Sequence, residues 1–104
     1  MVENNANLVF VKIHRQDTKM VVGACDCDII GCSFRDDIRK IDVKEGFYEG
    51  DVLSIPEAVK LLAKAPNINV VGKKIVEALL KAKVVNEHNV VKIGETLFAM
   101  KIVI

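Results

Sequence analysis

The chain has 104 residues, of which 51% are hydrophobic and 28% are charged, and its formal net charge is +1. This balance excludes a global positive field that would attract nucleic acid or an anionic membrane, so any basic surface must be local. No apolar run reaches the ~20 residues that span a bilayer and no secretory signal opens the chain, so we expect a soluble cytoplasmic protein that does not contact membranes.

Two apolar runs near the start of the chain predict a β-hairpin. Residues 7–14 (NLVFVKIH) and 19–25 (KMVVGAC) are rich in β-branched side chains, and RQDT between them is typical of a turn. Gly23 inside the second run indicates a bulge or the close approach of another backbone. Residues 38–43 (IRKIDV) alternate well enough to predict a third strand, and 44–51 (KEGFYEGD) is interpreted as a compact loop.

Two helices are predicted in the middle of the chain. The clearer one covers 54–65, where Ser54 and Glu57 have the spacing of a capping box and Pro56 lies in the first turn. The second helix is predicted from Gly72 to Lys83, because its apolar residues recur at the spacing of a packed helix face.

The end of the chain, residues 89–104, predicts a strand, a tight turn at Gly94 and Glu95, and a last strand. Strands therefore cluster at both ends and helices lie between them, which favours an α+β fold: a two-layer α–β sandwich, with a mainly antiparallel sheet and two helices on one face. We expect one domain over 7–104 behind a disordered N-terminus at 1–6. An exposed, apolar last strand, Thr96 to Ile104, would allow a homodimer through an edge strand.

Three cysteines, Cys25, Cys27 and Cys32, fall within eight positions and invite a metal-binding interpretation. A structural zinc site needs four ligands, so His14 would have to join the three thiolates, and an iron–sulfur cluster usually needs a fourth cysteine. No metal is therefore expected. A reactive thiol needs an electropositive neighbourhood, which the aspartates beside these cysteines do not provide.

The simpler interpretation of this stretch is structural. Cys25 continues the strand, Asp26 or Asp28 caps a single helical turn, and Gly31 closes that turn in the left-handed conformation.

The start of the second helix carries the best local sign of binding. Lys73 and Lys74 follow Gly72 at the positive end of the helix dipole, where cations are unfavourable unless they serve a purpose. Free backbone N–H groups, a glycine and two cations suit an anion such as a phosphate. The alternative is that Glu77, one turn later, neutralises either lysine.

An aromatic pair, Phe47 and Tyr48, lies between Gly46 and Gly50. It could form a stacking platform for a nucleotide base or a partner peptide. The favoured alternative is a loop anchored to the core by Phe47, with the Tyr48 hydroxyl bonded to nearby backbone.

Five short segments give a resemblance over most of the chain: CD at 25–26, IIG at 29–31, GFYEG at 46–50, NVVG at 69–72 and VVKIG at 90–94. In this order and at these intervals they resemble a family of small archaeal proteins known as domain of unknown function number 424. The resemblance implies a two-layer α–β fold and an association with translation, and it implies no established activity, substrate or cofactor. Carried over by position, the recurring residues are Asp26, Gly31, Phe47, Tyr48, Gly50, Asn69 and Gly72.

The sequence contains no hydrolase, zinc-protease or nucleotide-binding motif, which favours a non-catalytic binding module without a cofactor. We predict that its partner is RNA or a ribosomal or translation protein. The binding surface would combine Gly72, Lys73 and Lys74 with Phe47 and Tyr48, while Asp26, Gly31, Gly50 and Asn69 would be structural. The alternatives are an enzyme or metal protein centred on the cysteines, and a structural subunit for protein–protein interaction.

Overall fold

A computed structural model of the protein describes residues 7–103. The predicted disordered segment 1–6 and Ile104 lie outside the described residues. In chain order the elements are β1 (Leu8–Gln16), β2 (Lys19–Asp26), β3 (Ser33–Arg35), β4 (Lys40–Asp42), α1 (Glu45–Tyr48), β5 (Asp51–Ser54), α2 (Ile55–Lys64), β6 (Ile68–Val71), α3 (Lys73–Lys81), β7 (Val90–Ile93) and β8 (Thr96–Lys101), with 3-10 turns at Cys27–Ile29 and Glu87–Asn89.

Six strands form one mixed sheet in the order β5-β1-β2-β6-β8-β7, and β3 and β4 form a separate two-stranded sheet. β2 and β6 run parallel, while the other neighbouring strands of the large sheet pair antiparallel. The α+β class and the mainly antiparallel sheet are therefore confirmed. Two parallel strands need a long connection between them. Here the chain passes from β2 through β3, β4, α1, β5 and α2 before it reaches β6.

The two faces of the large sheet bury separate apolar clusters, because side chains alternate along each strand. In β1, Val9 and Val11 join a cluster that also contains Leu62 of α2 and Leu79 of α3. Phe10 lies between those valines and packs into the opposite cluster, whose buried members are Cys25, Val43, Tyr48 and Val71. The two longer helices thus contribute side chains to the same cluster, and α1 contributes to the other one.

The N-terminus of α2 is capped by the residues that the sequence predicts. The Glu57 N–H donates to Ser54 Oγ at 3.3 Å, and the Ser54 N–H donates to Glu57 Oε1 at 3.0 Å, so the predicted capping box is confirmed. The β7–β8 turn is also confirmed, with Gly94 at φ 60°.

Several boundaries differ from the prediction. The stretch predicted as a loop over 44–51 contains the helical turn α1 and the start of β5. The predicted strand 38–43 is shorter and belongs to the small sheet rather than to the large one. The strand β6 was not predicted, because its four residues directly before a helix are too few to show a clear alternation. Between residues 7 and 103, no helix is both long enough and apolar enough to cross a membrane.

The last strand is not at an edge, which corrects the expectation for Thr96 to Ile104. β8 lies between β6 and β7, and it pairs with β7 over Thr96–Ala99 and with β6 over Phe98–Lys101. The edges of the large sheet are instead β7 and β5, together with the part of β1 that extends beyond β5 and the last two residues of β8, which extend beyond β7.

Candidate functional site: an apolar groove

An apolar groove opens where β2 and β6 begin and β8 ends, and its cavity volume is about 740 Å³. Phe47 of α1 closes one side of it. Of the described residues that line it, only Lys19 carries a charge. The lining residues are Thr18, Lys19, Met20, Val21, Phe47, Pro66, Asn67, Ile68, Asn69, Met100, Ile102 and Val103.

The register of three strands builds the floor of this groove. Gly23 of β2 lies opposite Asn69 of β6, and Asn69 lies opposite Met100 of β8. Asn67 holds the wall together, because its Nδ2 donates to the Met20 carbonyl and its Oδ1 accepts from the Val103 N–H, each at 2.9 Å. The groove is therefore preformed by backbone pairing rather than by one loop.

Phe47 is fixed in place from several directions. A Cβ on Gly23 would come within 2.8 Å of Phe47 Cε2, so the missing side chain leaves the space that this ring fills. His14 stacks on the ring with centroids 4.3 Å apart, and its Nε2–H donates to the Phe47 carbonyl oxygen at 2.7 Å. Because the ring already has a stacked partner, it offers less surface for stacking a base.

Tyr48 is buried, and its hydroxyl donates to Asn69 Oδ1 at 2.6 Å. The prediction that the Tyr48 hydroxyl bonds to nearby backbone was therefore wrong, because its acceptor is the side chain of Asn69 in β6. Burial raises the pKa of Tyr48 to about 12, and the nearby Cys25 adds to the rise. The bond also fixes the orientation of the Asn69 amide, because its oxygen faces Tyr48. Asn69 lines the groove, and its Nδ2 has no hydrogen-bond partner among residues 7–103.

The N-terminus of α3 is occupied by a carboxylate of the protein itself. The N–H groups of Lys74 and Ile75 donate to the two oxygens of Asp26 at 3.0 and 3.1 Å. Asp26 also stands at the cap of the 3-10 turn, but its side chain makes no bond there, so the predicted cap of that turn is corrected to a cap of α3. Burial raises the pKa of the Asp26 carboxyl, and the hydrogen bonds from the Lys74 and Ile75 N–H groups offset only part of this rise.

Gly72 explains why this carboxylate can approach so closely. Its φ is 130°, and a Cβ there would lie 2.5 Å from Asp26 Oδ2. Gly31, with φ 83°, adopts the left-handed conformation that the sequence predicted.

The two lysines that follow Gly72 lie in different surroundings. Lys74 Nζ is 3.1 Å from Asp28 Oδ2 in a partly exposed ion pair. Lys73 is exposed and lines a small cleft of about 330 Å³ with Glu77 and Lys92. That cleft shares no lining residue with the apolar groove, so the structure does not bring Lys73 together with Phe47.

The three cysteines do not form a common site. Cys25 and Cys27 are buried, whereas Cys32 is exposed. Within residues 7–103, no group of three or more His, Cys, Asp or Glu side chains is arranged to hold a metal ion. Burial raises the pKa of the Cys25 thiol to about 12, with Cys27 and Asp26 adding to the rise, and burial also raises the pKa of Cys27. Thiols with such pKa values stay protonated near neutral pH and are weak nucleophiles.

Sequence reasoning singled out Phe47 and Asn69 of the groove, and Tyr48 that bonds to Asn69, but missed the other lining residues. Met100, Ile102 and Val103 are exposed apolar residues near the end of the chain. The signal that could have found them is the alternation of the last strand, which places Met100 and Ile102 on one face.

Comparisons with known proteins add a family and a fold. The family described as "Protein of unknown function (DUF424)" matches residues 13–104. A crystal structure of an uncharacterized conserved protein from Methanopyrus kandleri is similar, with a TM-score of 0.76, 22% sequence identity and 89% of each chain covered. At that identity the likeness shows the fold alone. The comparison with curated proteins gives no match.

Proposed function

Since the chain belongs to the family of unknown function DUF424, whose description carries no activity, we propose a function from the groove itself. The protein is a non-catalytic binding module, and its groove receives apolar side chains from a segment of a protein partner. The observation that carries this proposal is the preformed apolar groove of about 740 Å³ with one oriented amide donor, Asn69 Nδ2.

The composition of the groove supports an apolar ligand. Met100, Ile102 and Val103 expose large apolar surfaces beside it, which is an unfavourable arrangement in water unless a partner covers them. Pockets that bind ligands are commonly apolar with a few placed polar groups that fix orientation. Here Asn69 Nδ2 can donate to a backbone carbonyl of the bound segment, while the apolar walls hold its side chains.

A protein segment fits this surface better than RNA does. RNA binding needs cations along a phosphate path and open aromatic faces on which bases stack. Lys19 is the one charged side chain among the described lining residues, and Phe47 is already stacked on His14. The cationic candidate Lys73 lies in a separate cleft.

The setting we propose is the translation apparatus in the cytoplasm, with a ribosomal or translation protein as the partner. The resemblance of the sequence to its family supplies this setting, and the groove supplies the kind of contact. An RNA partner is the alternative outcome of the experiment below.

Two probes separate these outcomes: a display library of random peptides and a pool of random single-stranded RNA. We expect the protein to enrich peptides with apolar side chains and to retain little RNA. Binding of those peptides should change little between low and moderate salt, because apolar contacts release few counterions. RNA retention that falls steeply with salt would favour RNA, and failure to enrich any peptide would overturn the proposal.

A matched pair of variants locates the binding site. Ile102 is 62% exposed and lines the groove, whereas Ile38 is 81% exposed and does not line it. Ile102→Glu should abolish peptide enrichment, because it places a charge against an apolar ligand. Ile38→Glu introduces the same change elsewhere and should leave enrichment unaltered.

A further inference from the structure

The strand β1 is longer than the strand that covers its outer edge. β5 pairs with β1 only from Leu8 to Val11, whereas β2 pairs with β1 up to Gln16 on the other side. Beyond Val11, the outer edge of β1 has no strand partner among residues 7–103.

The backbone groups that face this open edge follow from the hairpin register. Gln16 lies opposite Lys19 across a two-residue loop, which makes them a hydrogen-bonded pair directed toward each other. Since neighbouring residues of a strand direct their backbone groups to opposite sides, Ile13 and Arg15 direct their N–H and C=O groups away from β2. These groups are the unpaired row that an added strand would use.

The end of β5 leaves a notch beside this row. A Cβ on Gly50 would overlap the Val11 carbonyl oxygen, so the chain passes tightly against β1 there and then leaves the edge. A notch of about 250 Å³ follows, lined in part by Ile13, Leu53 and Leu61. Ile13 is 46% exposed, so a large apolar side chain lies at the surface beside this notch.

We propose that the edge of β1 at Ile13 and Arg15 binds an extended, acidic segment of a protein partner as an added β-strand. Main-chain hydrogen bonds to Ile13 and Arg15 hold the segment, and an apolar side chain fills the notch. Acidic side chains of the segment lie beside Arg15, which is exposed and has no ion pair within residues 7–103. This site is separate from the groove and goes beyond the function proposed for it.

Charge decides between such a partner and a second copy of the chain. Residues 12–16 are Lys, Ile, His, Arg and Gln, so this stretch of β1 itself carries cations and no acid, while Asp51 at the start of β5 lines the notch. Antiparallel pairing of two copies would bring two such segments side by side, and like charges across strands are destabilising. A partner with alternating acidic and apolar residues is complementary instead, and the same cations discourage self-association.

The test uses two short capped peptides, one alternating glutamate with valine and one alternating lysine with valine. Amide hydrogen exchange of the folded protein is followed by NMR during titration with each peptide. The glutamate peptide should slow exchange at Ile13 and Arg15, and the lysine peptide should not. Arg15→Pro removes one outward N–H and should weaken binding by about tenfold or more, whereas Arg15→Ala should weaken it less.

Several results would overturn this proposal: no slowing at these two amides, equal effects of both peptides, or unchanged binding by Arg15→Pro. Slowing that depends on protein concentration without peptide would assign the edge to a second copy. Should Arg15→Pro fail to fold, the exchange data on the unaltered chain still decide. Because Ile102→Glu leaves the edge intact, it should bind the glutamate peptide normally even if the groove has no function.

Discussion

Tyr48 lies in the core and bonds to a residue of the groove, and this environment raises the pKa of its hydroxyl. Its hydroxyl donates to Asn69 Oδ1, while the ring is buried and lies edge-on to Phe47. Removing its proton would leave a charge buried in the low-dielectric interior beside Cys25, which is unfavourable. The residue is therefore held in its neutral, hydrogen-bond-donating form, and this form orients Asn69.

Tyr48 provides a direct prediction, because it is the chain's single tyrosine and the chain has no tryptophan. Burial raises the pKa of Tyr48 from 10.0 to about 12, so tyrosinate absorbance of the folded protein should rise near pH 12. A raised folded-state pKa means that this stability is complete below pH 10.0 and is lost as pH climbs toward about 12. The denatured chain is the control, and a folded-state midpoint near 10 would contradict the described environment.

The cap of α3 depends on two residues, Gly72 and Asp26. The Asp26 carboxylate can reach the N–H groups of α3 only because Gly72 has no side chain. Gly72→Ala should destabilise the protein by about 3 kcal/mol or more, because the methyl group displaces a buried capping carboxylate and φ is also unfavourable. Gly31→Ala is the matched control, because its φ is also positive but nothing lies within 4 Å of the added Cβ. It should cost only about 1–2 kcal/mol. Denaturant unfolding measures both, and equal losses would argue against the cap.

At the scale of elements, α2 and α3 differ in how far along the sequence the residue that caps the helix N-terminus lies. The capping box of α2 joins residues three apart and was readable in the sequence. The cap of α3 comes from Asp26, which is 48 residues from Lys74. The sequence therefore predicted the helix but assigned its free N–H groups to an external anion, since nothing local identifies a distant carboxylate.

The C-terminal end of α3 gives an element-scale prediction. Lys83 follows the helix with φ 60°, and the Val84 N–H donates to the Leu79 carbonyl in the manner of a glycine cap. Lys83→Gly should stabilise the protein by about 0.5–1 kcal/mol, because glycine has no Cβ strain there. Lys60→Gly, inside α2, should instead destabilise it by about 1 kcal/mol. Thermal unfolding compares the two, and the same sign for both would contradict the geometry.

The strands show the same limit of local information. The hairpin β1–β2 and the turn at Gly94 were predictable, because alternation and turn residues are local signals. β6 was not, because four residues directly before a helix are too few to show a clear alternation. The groove depends on the register of Gly23, Asn69 and Met100, which only the sheet order brings into one row.

At the scale of the whole molecule, the features that suggested binding lie in separate places. The apolar groove, the Lys73 cleft and the open edge of β1 have no lining residue in common. The near-neutral charge of the chain adds no long-range attraction to any of them. Recognition should therefore depend on local shape and apolar contact, with the groove as the largest of these surfaces.

The most direct measurement of the central claim is partner capture from ribonuclease-treated native extract by two variants of equal stability. We predict that Ile102→Glu, in the groove, retains less than about one-tenth of the protein that Ile38→Glu retains. Both variants introduce the same charge at an exposed isoleucine, so effects of the added charge that do not depend on its position cancel when the two amounts of retained protein are divided. A ratio near one, or capture that ribonuclease abolishes for both, would contradict a groove that binds protein.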